Sequence, residues 1–119
     1  MKLIKKLKIG LDGKHITINN VFLEDKLGKF LGLMFSEREK AQILLFEMQK
    51  PRSIHSFFVF FPFIALLVDR KNNVVEWKIV KPFTFSVFCK RKFSKIIEIP
   101  ISRRHYAIVK RIVGERFKN

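Results

Sequence analysis

The chain has 119 residues, 48% of them apolar and fourteen of them phenylalanine, which excludes a disordered segment and suffices for one domain with its own core. Its 25 lysines and arginines stand against only 10 acidic residues, a formal charge of +15 that favours anionic partners, nucleic acid or an anionic membrane surface. The single Cys89 excludes an intramolecular disulfide and fits a reducing compartment, the cytoplasm.

At the start of the chain, Met1–Lys8 interleaves lysines with apolar residues and never develops an apolar core, so no signal peptide is expected. Leu7–Leu11 alternates, Asp12-Gly13 tolerates positive φ at both positions, and His15–Ile18 returns, which is the pattern of a two-residue β-hairpin. His15 reads as a solvated strand residue. Asn19-Asn20 has the chemistry of a helix cap, with Glu24 and Asp25 in the first turns, apolar residues at Phe22, Leu23, Leu27, Phe30 and Leu31, and Gly32 near the end, so a short helix is expected there. Ser36–Lys40 is a charged loop, Ile43–Phe46 a buried strand, and Gln49–Arg52 a connection fixed by Pro51.

Next comes the most apolar stretch, twelve residues from Phe57 to Val68 with no polar side chain. A membrane-spanning helix needs roughly 20 apolar residues, and Pro62 interrupts this run, so no transmembrane segment is expected. Both alternating sets are apolar, as in strands covered on two faces. The expected arrangement is a pair of buried strands, about 54–61 and 63–69, joined at a bend where Pro62 supplies no N–H. Asp69–Asn73 follows as a hairpin loop. Val75, Trp77 and Ile79 alternate with Glu76 and Lys78 as a strand with one wet face, then Phe83, Phe85 and Val87 alternate up to the basic turn Cys89–Lys92. Lys95–Ile99 is a further short strand stopped by Pro100. Ser102 is placed to cap a last helix carrying an apolar stripe of Tyr106, Val109, Ile112 and Val113, with Arg103, Lys110, Arg104 and Arg111 as its basic face and Gly114 at its end.

This order of elements resembles the DUF192 family of small uncharacterised proteins. The matching segments are Lys29–Phe35, similar to the family's Gly-Leu-Met element; Ile43–Phe46; Ser53-Ile54-His55-Ser56-Phe57-Phe58, in the Ser-Ile-His-x-Phe-Phe form typical of archaeal members; the Asp69 hairpin with Val74-Val75; and Ser94–Pro100. Together they extend from about Ile16 to Val113. The resemblance implies a compact β sandwich or barrel with two short helices, in agreement with the mainly β, β-rich α+β class read from the strands. It implies no activity. Two departures stand out: Ile64 occupies a position where the family usually carries an acid, and Lys81-Pro82-Phe83-Thr84 replaces a common aromatic-Arg pair.

Two kinds of site are expected. The first is a polyanion surface for RNA or DNA made by Lys90, Arg91, Lys92, Arg103, Arg104, Lys110 and Arg111, with Phe93 and Tyr106 near enough to stack on bases. A merely solvating role accounts for the same lysines. The second is a pocket for a small molecule, or an enzyme site, lined by His55, Arg52 and Met34, with His55 titrating near neutrality; a core histidine satisfied by a backbone carbonyl is the alternative. No catalytic residue, cofactor motif or metal-ligand spacing is present: His15, His105 and Cys89 are isolated in sequence, and nucleophile elbow, P-loop and dinucleotide fingerprint are all missing.

Overall fold

The computed structural model describes residues 2–24, 37–47, 59–83 and 92–114. The N-terminal hairpin forms as the sequence indicates. Strands β1 (Lys2–Leu11) and β2 (Lys14–Leu23) pair antiparallel in continuous register from Lys2 opposite Leu23 to Leu11 opposite Lys14. Asp12 and Gly13 both take positive φ, 51° and 78°, whose twist matches that of the flanking strands.

The helix expected from Asn19 does not form over 19–23. Those residues continue β2, because Val21 and Leu23 pair in parallel with Ile43 and Leu45 of β3 (Ile43–Glu47). Asn20 caps nothing; it takes a left-handed φ of 58° where the ladder skips its contact with Lys5. At that kink the inward set changes parity, from Leu7, Ile9 and Leu11 to Ile4. The remainder of the expected helix lies outside the described residues.

Strand β4 (Phe63–Val68) is buried at every position, as a strand covered on both faces must be. Ile64, Leu66 and Val68 join one apolar cluster, and Phe63, Ala65 and Leu67 join the other. The preceding residues 59–61 are not a strand, although Val59 and Phe61 pack into the core; 54–58 lie outside the described residues. At the bend, Ile101 N–H donates to the carbonyl of Pro62.

The Asp69 loop is the expected hairpin: its Oδ1 accepts from the N–H of Lys71 and of Asn73, and Asn72 takes a φ of 65°. It leads to β5 (Val74–Val80), where a bulge opposite Leu67 and Val68 spoils simple alternation. The wet face is correspondingly mixed. Ile79 is exposed while Glu76 and Lys78 are half-buried. Strand β6 (Lys95–Pro100) lies between β3 and β4, antiparallel to both, so the six strands run in the order β1-β2-β3-β6-β4-β5.

The result is one mixed sheet, not two packed sheets and not a closed barrel. Its first and last strands meet at a single point, where Gly10 bridges to Asn73 and donates its N–H to the Asn72 carbonyl at 2.9 Å. A side chain at position 10 would collide with the Asn73 carboxamide. Helix α1 (Tyr106–Val113) is the one helix among the described residues; it plugs one face of the sheet with Val109, Ile112 and Val113, and Gly114 ends it at a φ of 70°. Tyr106 is not part of that stripe and is 56% exposed. The opposite face carries a second cluster rich in phenylalanine, with Phe46, Phe61, Phe63 and Phe93 packed on Ala65, Leu67 and Ile96.

Candidate functional site

The segment entering α1 is held by the charged turn at 37–41. Glu39 accepts from the backbone N–H groups of Arg103 and Arg104, at 3.5 and 3.2 Å. Arg104 Nη1 donates to the Lys40 carbonyl and Arg38 Nε to that of Ile101, at 3.1 and 2.7 Å. The ring of His105 completes the clasp, its Nε2 2.8 Å from the Ala41 carbonyl. That carbonyl can only accept, so Nε2 bears the proton. Burial pulls the His105 pKa below its ordinary value, and the Arg104 charge adds to this; the Ala41 hydrogen bond and Glu39 oppose it. Ser102 does not cap the helix. Its Oγ accepts from the His105 N–H, and His105 itself is the N-cap residue, with no side-chain cap bond.

This arrangement separates the expected basic set. Arg103 and Arg104 sit in the turn before α1, so they do not stack on the helix with Lys110 and Arg111. Lys92 lies before β6 and the arginines after it, about 20 Å apart along a strand of that length. Lys92, Arg103, Arg104, Lys110 and Arg111 are all exposed, and Lys110 and Arg111 also lie in the last turn, where the helix dipole favours cations. Phe93 is only 6% exposed in the aromatic cluster and offers no stacking surface, whereas Tyr106 does. Lys90, Arg91, His55, Arg52 and Met34 lie outside the described residues.

A second basic zone, missed in the sequence, is on the hairpin. Lys6 and Lys8 of β1 point away from the core beside Asn19 and Thr17, with Lys2, Lys5 and Lys14 also exposed. The signal was available in the alternation of Lys6 and Lys8 with Leu7 and Ile9. Because α1 packs on the face that Leu7 and Ile9 share, Lys6 and Lys8 lie on the side of the sheet away from α1 and its Lys110 and Arg111.

The described carboxylates are largely committed. Glu39 and Asp69 accept backbone N–H groups, Glu37 pairs with Lys40 and Glu76 with Lys78, both at 3.2 Å, and Glu24 is buried. Glu98, in the middle of β6, is pushed up to about 8 by burial and has no hydrogen-bond or ion-pair partner among the described residues. No carboxylate among the described residues pairs with Lys6, Lys8, Lys92, Arg103, Lys110 or Arg111. Nor do three or more His, Cys, Asp or Glu side chains gather there as a metal site would require, and no helix among the described residues is long and apolar enough to cross a membrane.

No protein-family model matches the chain. It is, however, 32% identical over 92 residues to a UPF0127 protein of Pyrococcus furiosus, an alignment covering 74% of this chain and 77% of the relative. The chain belongs to the UPF0127 family. UPF0127 and DUF192 are the same family, so the resemblance seen in the sequence holds. Among solved structures, a protein of unknown function from Novosphingobium aromaticivorans superposes with a TM-score of 0.64 at 12% identity, covering 90% of this chain and 79% of that one. A "putative transcription regulator" from Sinorhizobium meliloti does so with a TM-score of 0.64 at 16% identity, covering 86% and 82%. At these identities the two structures share the fold alone. Ile64, where the resemblance implies an acid, is fully buried in the cluster beneath α1.

Proposed function

We propose that this UPF0127 protein is a non-catalytic, cytoplasmic binding module for a polyanion, RNA or DNA, which it engages through distributed surface charge and not through one groove. The observation that carries the reading is the asymmetry between the signs. The described carboxylates are largely occupied within the fold, whereas Lys6, Lys8, Lys92, Arg103, Lys110 and Arg111 have no carboxylate partner among the described residues. Such a surface attracts a phosphate backbone without reading bases, and cations on both sides of the sheet suit a long strand better than an isolated phosphate. Lys90 and Arg91, next to Lys92 in sequence, extend the set.

Two double variants test this by filter binding to single-stranded RNA and to duplex DNA at low salt. Lys110→Glu with Arg111→Glu, and Lys6→Glu with Lys8→Glu, should each weaken retention severalfold while leaving the melting temperature close to wild type. Retention unchanged in both variants would refute the proposal.

A further inference from the structure

We propose that Phe60 and Phe83 form a stacking platform for unpaired bases, which makes the partner of this protein a single-stranded nucleic acid. This rests on the polyanion reading above and names the form of that partner. The two rings are 54% and 57% exposed and meet edge to face, their centroids 5.5 Å apart and their planes at 66°. In that arrangement each ring keeps at least one face clear of the other. Val59 and Phe61, on either side of Phe60, are both buried in the phenylalanine cluster, so the segment is anchored and turns Phe60 outward. Phe83 takes a left-handed φ of 58°, a conformation natural to glycine and costly for a bulky side chain. Strain that holds an aromatic ring out in water points to a use for the ring.

The topology gathers cations at the same end of the sheet. Phe63, at the start of β4, lies opposite Val80 at the end of β5 and Pro100 at the end of β6. Phe60 precedes β4 and Phe83 follows β5, with the exposed Lys81 between Val80 and Phe83. Ile101 N–H donates to the Pro62 carbonyl, which ties in the segment carrying Arg103 and Arg104, and Arg38 Nε donates to the Ile101 carbonyl. Among the described residues of these loops, Lys81, Arg38, Arg103 and Arg104 are opposed in charge by Glu39, since Glu37 pairs with Lys40. An apolar pair in a positive field suits a polyanion that carries flat apolar rings, and does not suit a second copy of a chain with a charge of +15. Unpaired bases offer such rings, whereas a duplex hides them in its own stack. Stacking is also tolerant of base identity, as fits a surface that engages phosphates by charge.

The test uses the full chain and two probes, a single-stranded oligodeoxynucleotide and the same phosphate backbone bearing abasic sugars, followed by fluorescence anisotropy at low salt. The wild-type protein should bind the strand with bases about tenfold more tightly, the order expected from one stacked base. Phe60→Ala with Phe83→Ala should bind the two probes alike, with the affinity for the abasic backbone and the melting temperature unchanged. Phe60→Tyr with Phe83→Tyr should restore the preference. The proposal is overturned, and the polyanion reading kept, if the wild-type protein binds both probes equally or if the alanine variant keeps the preference. A wild-type dimer that the alanine pair dissolves in sedimentation, with the preference for bases unchanged, overturns it in favour of self-association. Absence of binding to either probe overturns both readings. The wild-type comparison decides the matter even if a variant does not fold.

Discussion

Among the described residues, two side chains give this fold a pH signature, and they act in opposite senses. Glu98 has a folded pKa of about 8 against an ordinary value of 4.5. Its contribution is fully present below about pH 4.5 and is lost as pH rises to about 8, because across that window the unfolded chain has released a proton that the folded one retains. The slope approaches about 1.4 kcal/mol per pH unit. His105 is lowered from 6.5, so its contribution is present above pH 6.5 and is lost as pH falls through the folded value. Between about pH 6.5 and 8 only Glu98 of this pair titrates, and unfolding by urea should show stability falling across that range. Glu98→Gln should flatten the fall. A profile just as steep in the variant would show that the decline originates elsewhere. Gly10 is the other residue whose identity the fold fixes. Gly10→Ala should cost about 1 kcal/mol, at the low end for overpacking because the Asn73 carboxamide can rotate away; a chemical melt measures it.

Among the elements, the join between the charged turn and α1 should be the most sensitive to substitution. Glu39→Ala leaves the Arg103 and Arg104 N–H groups without their acceptor and should destabilise by about 1–2 kcal/mol. On α1 itself, Ile112→Ala should cost about 2–4 kcal/mol, as for other buried large-to-small changes. Tyr106→Ala should stay within about 0.5 kcal/mol, since that ring is on the surface. These two substitutions divide the stripe that sequence periodicity assigned to both residues. The hairpin at Asp12-Gly13, the buried β4 and the Asp69 loop were legible because turn chemistry and unbroken apolarity are local signals. The continuation of β2 through Asn19-Asn20 was not, because a good capping pair was overridden by pairing with β3, a strand some twenty residues further on. The segment entering α1 was misread for the same reason. The N–H groups of its Arg103 and Arg104 are held by Glu39, more than sixty residues away, while the Ser102 hydroxyl reaches only the His105 N–H. Glu98 was passed over because a lone acid in a short strand reads as a solvated one until β3 and β4 are placed on either side of it.

At the scale of the molecule, the sequence conveyed the sign of the surface but not its distribution. Folding separates Lys92 from Arg103 and Arg104, adds Lys6 and Lys8 on the other side of the sheet, and engages acids that a formal charge counts as free. The central claim is that this surface holds a polyanion by charge. It is tested most directly by titrating single-stranded RNA at several salt concentrations and plotting the logarithm of the binding constant against that of the salt. Engagement of four or five cations predicts a straight line with a slope of about −3, roughly −0.7 for each phosphate neutralised. No binding at low salt, or an affinity that salt leaves unchanged, would contradict it.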